Sequence, residues 1–116
     1  DVIKNKDILA VEFAKRYKNI ILVLKSDTTI ITDGEDSFIC DEGVPQMATG
    51  GMGDALCGMI TSFVGQSIPI LDSCLLAVFT HSYIARKLSN NMNSVLAQDI
   101  IEEIPYILAN FRKIKD

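Results

Sequence analysis

The sequence predicts an α/β fold, on three observations taken in chain order. A helix-spaced apolar pattern leads into a continuous β-favouring run, Ile20-Ile21-Leu22-Val23-Leu24. Two short β-rich stretches then flank an Asp-Gly turn signal. Last, a glycine-rich segment gives way to helical periodicity that continues towards the end of the chain.

From Asp7 to Lys18, the apolar residues Ala10, Phe13, Ala14 and Tyr17 fall at helical spacing. Lys15, Arg16 and Lys18 lie near the C-terminal end, where cations suit the helix dipole. The run from Ile20 to Leu24 is short and wholly apolar, so it is expected to be a strand buried on both faces, as in a parallel sheet beneath helices. Thr28 to Thr32 and Ser37 to Cys40, separated by Asp33-Gly34-Glu35-Asp36, predict an antiparallel hairpin. Five glycines between Gly43 and Gly58, with Pro45 among them, mark a loop, and helical spacing resumes at Leu56, Met59, Ile60 and Phe63. Leu71 to Leu88 is apolar nearly all round (Leu75, Leu76, Val78, Phe79, Tyr83, Ile84), the pattern of a helix packed inside a larger body. A final helix is expected from about Asp99, with Ile101, Ile104, Leu108 and Phe111 on one face and a kink or restart at Pro105.

The bulk composition narrows the function classes. At 116 residues, 48% hydrophobic and 22% charged, the chain reads as one globular domain or a piece of one. Fifteen acidic against eleven basic side chains leave a net charge of -4, so a broad basic surface for nucleic acid is excluded. Cys40, Cys57 and Cys74 are odd in number and form no C-x-x-C pair, which fits a reducing compartment better than a disulfide framework or a zinc site. No apolar run approaches the roughly 20 residues that span a bilayer, and residues 1 to 20 carry charges throughout, so a cytoplasmic location is expected. The chain starts with a helix and a buried strand that has no parallel neighbour upstream. Residues 1 to 116 are therefore expected to be the C-terminal portion of a longer domain. Strand edges and apolar surface left open in this way predict a homo-oligomer.

The segment Ala48-Thr49-Gly50-Gly51-Met52-Gly53-Asp54 carries the chemistry. Gly50, Gly51 and Gly53 lack Cβ atoms where a backbone must turn tightly and approach a phosphate through its N–H groups. The following helix start leaves several N–H donors unpaired and adds its dipole, which makes an anion site without any lysine or arginine. Asp54 falls in the first turn, placed to accept a proton from an attacking hydroxyl in phosphoryl transfer. The pattern alone is equally compatible with a turn whose glycines only bend the chain and whose aspartate only caps a helix.

Context separates the two readings. Pro45 followed by Met47-Ala48-Thr49-Gly50-Gly51-Met52-Gly53-Asp54 resembles the signature of the NAD(P)H-hydrate dehydratase family, within the ribokinase-like superfamily. Leu24-Lys25 followed by Thr28-Thr29 resembles that family's lysine-led nucleotide segment, and Val95-Leu96-Ala97-Gln98-Asp99-Ile100-Ile101 resembles the start of its C-terminal helix. The resemblance implies a ribokinase-like three-layer α/β/α fold. It also implies a lyase that uses ADP or ATP, with Mg²⁺, to phosphorylate the added hydroxyl of hydrated NADH or NADPH and so drive its elimination. By motif position, Lys25, Ser26, Asp27, Thr28 and Thr29 would line the adenine nucleotide. Gly50 and Gly51 would complete the anion loop, Gly53 would approach the phosphate, and Asp54 would meet the hydrated substrate as base. Val44, Gln46, Ser26 and Met52 depart from the family pattern, in which asparagine, glycine, glycine and a small residue are usual; these positions bear on substrate fit and nucleotide preference. A ribokinase-like kinase of a vitamin precursor or sugar would share the loop and the base, and an inactive nucleotide-binding fragment would share the loop.

Three other features have plainer readings. His81, the only histidine, sits in the very apolar helix and is expected to be a packed, hydrogen-bonded ring outside the site. Met47, Met52 and Met59 are expected to fill irregular core gaps. Glu102 and Glu103 are expected to be a solvated pair on the last helix.

Overall fold

A computed structural model of the chain describes residues 6–17, 19–25, 28–40, 51–92 and 95–115. The elements run α1 (Lys6–Arg16), β1 (Leu22–Leu24), β2 (Thr29–Thr32), β3 (Ser37–Cys40), α2 (Met52–Gly65), α3 (Ile70–Ser89) and α4 (Ala97–Lys115). The strands form one antiparallel sheet in the order β1-β2-β3. Leu22 lies opposite Thr32 and Leu24 opposite Ile30, while Ile31 faces Phe38 across the second ladder.

The β1–β2 pairing corrects one expectation. The apolar run is a strand, but it pairs antiparallel with its successor and its three residues are only half-buried. Only residues 25–28 separate β1 from β2, and so short a link cannot make the crossover that a parallel pair requires.

The hairpin forms where the Asp-Gly signal lies. Asp33 Oδ1 accepts from the Glu35 N–H at 2.9 Å and the Asp36 N–H at 2.8 Å. Those two donors, Asp36 first, hold the Asp33 carboxyl below its ordinary pKa. Gly34 adopts φ 100, and its N–H donates to Thr32 Oγ1 at 3.0 Å. A Cβ there would lie 3.1 Å from the Lys15 nitrogen and 3.2 Å from the Ala14 carbonyl carbon, so the turn also fits against the backbone of α1.

Strand alternation sorts the helices into layers. Ile30 and Thr32 point to the face covered by α1, whose Ala10 and Ala14 are buried. Ile31 points the other way, into a core with Leu56, Met59 and Phe63 of α2 and Cys74, Ala77 and Val78 of α3. The order α1, sheet, α2 with α3 is a three-layer α/β/α arrangement. The rings of Phe13 and Tyr17 lie 4.7 Å apart and tilted by 40° on the outer side of α1, with about half their surface exposed, so only the alanines of the expected face are core.

At the end of α2, the Ile68 N–H reaches the Phe63 carbonyl at 3.2 Å and the Ser67 N–H reaches Val64 at 3.0 Å, with Ser67 at φ 67. This is a Schellman stop, which turns the chain into α3 and returns Ile68 to the core. The helix from Leu71 to Leu88 is present, but it is not buried all round. Ser73, Thr80, His81 and Ser82 are buried, whereas Phe79 and Tyr83 are exposed and lie 5.9 Å apart.

The last helix starts two residues before Asp99. The Asp99 carboxylate reaches back to the Leu96 N–H at 2.8 Å, the reciprocal half of a capping box, so Asp99 is the third helical residue. The helix continues through Pro105 without a restart. Pro105 is exposed, and the carbonyl it leaves unpaired belongs to Ile101 on the same solvent side, where water can satisfy it. Ile101 thus lies outside the core, and Ile100 and Ile107 take the buried positions beside Met52, Ile84, Ala85 and Val95. Met52 and Met59 fill the two cores as expected, while Met47 lies outside the described residues. Glu102 and Glu103 do not act as a pair, since Glu103 lies 3.6 Å from Lys87 of α3 and Glu102 accepts from Gln98 at 3.1 Å. Among the described residues, no helix is long and apolar enough to cross a membrane.

Candidate functional site

The site is built on the start of α2. Gly51 is its N-cap residue at φ 87, ψ -6, a left-handed conformation that L side chains rarely adopt, and no side chain caps this end. The first helical bond runs from the Ala55 N–H to the Gly51 carbonyl at 3.0 Å. The N–H groups of Met52, Gly53 and Asp54 precede it in the first turn of the helix, where backbone donors lie outside the intrahelical ladder. Met52 itself is buried at 5% exposure and anchors the turn to α3 and α4, so these donors are presented from a fixed helix end.

Above them stands Lys25, the first residue after β1. A Cβ at Gly53 would lie 3.9 Å from Lys25 Nζ, so the ammonium is held over the first turn of α2 and the missing side chain leaves that approach open. Lys25, Gly53 and Asp54 are all exposed. Three backbone donors, a helix dipole and one exposed cation converge at this end, a combination suited to phosphate oxygens. Asp54 is the acidic residue of the first turn.

Of the residues expected here, Lys25, Gly51, Gly53 and Asp54 are brought together by the fold. Thr28 and Thr29 are half-buried at the start of β2. Ser26, Asp27 and Gly50 lie outside the described residues. Among the described residues, no group of three or more His, Cys, Asp or Glu side chains could hold a metal ion.

The residue that sequence reasoning placed outside this neighbourhood is His81. Its ring is 2% exposed and hydrogen-bonds to the backbone of Met52, the first residue of α2. Burial pushes its pKa down to about 4, the Lys25 ammonium adds to the shift, and the Met52 bond opposes it. The expectation of a packed, hydrogen-bonded ring is met, but the partner is the first turn of α2. The signal available in the sequence was its setting between Thr80 and Ser82, three consecutive polar residues in an otherwise apolar helix.

Comparison with known proteins gives consistent results. The family model of NAD(P)H-hydrate dehydratase matches residues 2–106. The ADP-dependent (S)-NAD(P)H-hydrate dehydratase of Staphylococcus aureus is 45% identical over 87 residues, which cover 75% of this chain and 32% of that protein. The crystal structure of the ADP/ATP-dependent NAD(P)H-hydrate dehydratase of Bacillus subtilis, co-crystallised with ATP/Mg²⁺ and soaked with CoA, superposes with TM-score 0.87 at 26% identity, over 95% of this chain and 42% of that one. A ribokinase-like superfamily protein from Enterococcus faecalis superposes with TM-score 0.79 at 30% identity, over 93% and 36%. The chain thus spans about a third of the length of the curated relative it matches.

Proposed function

Since the chain belongs to the NAD(P)H-hydrate dehydratase family, we propose that its phosphate turn serves the dehydration of hydrated NADH or NADPH at the expense of ADP or ATP. The observation that carries this reading is the convergence of Lys25 Nζ and the open first turn of α2 on one exposed spot, with Asp54 in that same turn. The N–H groups of residues 52 to 54 and the Lys25 ammonium bind and neutralise the phosphates of the nucleotide. Asp54 receives the proton of the substrate hydroxyl as its oxygen bonds to phosphorus, and the nucleotide leaves with the electrons of the broken P–O bond. The hydroxyl is thereby converted into a phosphate, a far better leaving group, and its elimination restores the nicotinamide ring. Glycine at 50, 51 and 53 keeps side chains out of the path of the phosphate, and Ser26, Asp27, Thr28 and Thr29 belong to the nucleotide wall in this reading.

Mg²⁺ fits this site as a companion of the phosphates, because it retains several waters and needs only one or two carboxylates. Asp54 is the carboxylate available at the described turn. When bound, the ion supplies charge neutralisation at the transferred group.

The test is incubation of the protein with hydrated NADH, ADP and Mg²⁺. Recovery of NADH absorbance supports the reading; no recovery, together with a phosphorylated alcohol formed from a sugar or vitamin precursor, replaces it with a small-molecule kinase. The same reading assigns a cytoplasmic, reducing environment, in keeping with three free cysteines. It also includes self-association through the apolar residues exposed on α1 and β3, among them Leu9, Phe13 and Ile39. A monodisperse monomer by light scattering would overturn that last assignment.

A further inference from the structure

The chemistry above leaves unused a buried base beside the phosphate turn. His81 lies in the middle of α3, and one turn further on Ile84 and Ala85 pack in the same cluster as Met52. Nε2 has no hydrogen-bond partner among the described residues, and the contact with the Met52 backbone is assigned to Nδ1. That bond favours the protonated ring, which means that Nδ1–H donates and the Met52 carbonyl accepts. A carbonyl can accept this second donor while it still accepts the helical N–H of Leu56.

A helix start is ordinarily ordered by a Ser, Thr, Asp or Asn whose oxygen caps an exposed N–H. Here the cap position is Gly51 at φ 87, with no side-chain cap bond. Any side-chain cap would occupy the donors and the space that a phosphate needs. The order has to come from behind the turn, where the Met52 side chain supplies an apolar anchor and His81 a polar one. We propose that His81 is a positioning residue for the phosphate turn, holding the first peptide of α2 from inside the core so that the N–H groups of residues 52 to 54 keep their aim without a side-chain cap.

This inference rests on the reading of that turn as a phosphate site. Burial and the neighbouring Lys25 ammonium keep the ring neutral, so its single N–H is committed to Met52 and none of it is shared with a ligand.

Three substitutions separate positioning from bulk. In His81→Asn the amide nitrogen falls near the place of Nδ1 and can still donate to Met52; in His81→Gln the donor falls near Nε2; His81→Leu keeps volume and donates nothing. ADP binding in the presence of Mg²⁺ is expected to weaken about tenfold in His81→Leu and His81→Gln, and to return to within about threefold of wild type in His81→Asn. In the turnover assay the loss is expected in KM for the nucleotide, with kcat little changed. A melting temperature that falls in His81→Leu while ADP affinity stays within about twofold would reduce His81 to a packing residue and overturn the proposal.

A second measurement needs no nucleotide. The long-range ¹H–¹⁵N spectrum of the histidine ring at neutral pH is expected to show the Nδ1–H tautomer, and the amide signals of Met52, Gly53 and Asp54 are expected to move in His81→Gln more than in His81→Asn. An Nε2–H tautomer would overturn the proposal. If the wild-type protein binds no ADP while the Nδ1–H tautomer is seen, the phosphate reading fails and the His81–Met52 link stands.

Discussion

Acidification should destabilise this protein in a pH window set by His81. In the folded chain its pKa is lowered from 6.5 to about 4; in the unfolded chain it returns to the ordinary value. At pH 7 the ring is mostly neutral in both states, so its titration changes stability little. Below pH 6.5 the unfolded chain binds a proton that the folded chain refuses, so stability falls with pH and stops falling once the pH passes the folded pKa of about 4. A gap of about 2.5 pH units at about 1.4 kcal/mol each gives a loss of roughly 3–4 kcal/mol, a sizeable part of the 5–15 kcal/mol typical of a domain. Between pH 6 and 5 the slope should be about 1 kcal/mol per pH unit, above the range in which ordinary carboxylates titrate. Urea denaturation midpoints at pH 7, 6 and 5, compared between wild type and His81→Asn, read this directly. The variant removes the titrating group and retains a donor to Met52. A wild-type stability that is flat from pH 6.5 to 5, or an equal slope in His81→Asn, would refute the reasoning.

Three further outcomes are expected. Asp54→Asn should lower turnover by roughly 10²- to 10⁴-fold while ADP affinity is nearly kept, since binding rests on backbone donors and Lys25; undiminished turnover would remove Asp54 from its role as base. Gly34→Ala should cost about 2 kcal/mol or more, because it combines φ 100 with backbone atoms 3.1 and 3.2 Å from the new Cβ, whereas Gly51→Ala should cost about 1 kcal/mol, meeting only the Ala97 Cβ at 3.4 Å. Thermal unfolding that ranks the two in the opposite order would contradict the close fit of the hairpin to α1. Lys25→Met should weaken ADP binding, remove much of its salt dependence, and move the His81 pKa back up, which an NMR titration of the ring would detect.

Much of the fold is local and therefore legible. The Asp33-Gly34 turn needs positive φ at one residue and a carboxylate that accepts from the next two N–H groups, and both requirements are written in four residues. The glycines before α2 announce a chain that must turn left-handed at Gly51. By contrast, the run from Ile20 to Leu24 looks the same whether its strand pairs parallel or antiparallel; the short link to β2 held that information. Pro105 promised a break, but its position on the exposed side of α4 lets water take the freed carbonyl, and the helix persists. For α3, the sequence is apolar nearly all round and favours no face, and the fold turns Ser73, Thr80 and His81 inward while Phe79 and Tyr83 stay exposed.

The division of the site follows the same line. Sequence alone determined the residue types, three closely spaced glycines, an aspartate in the first turn and a lysine after a strand, because each answers a local need of backbone or charge. Tertiary structure decided that Lys25, some thirty positions earlier, stands over Gly53, and that His81, nearly thirty later, lies beneath Met52. Contacts between residues so far apart depend on how the helices and sheet pack, and no local pattern encodes which face of α3 will meet the start of α2.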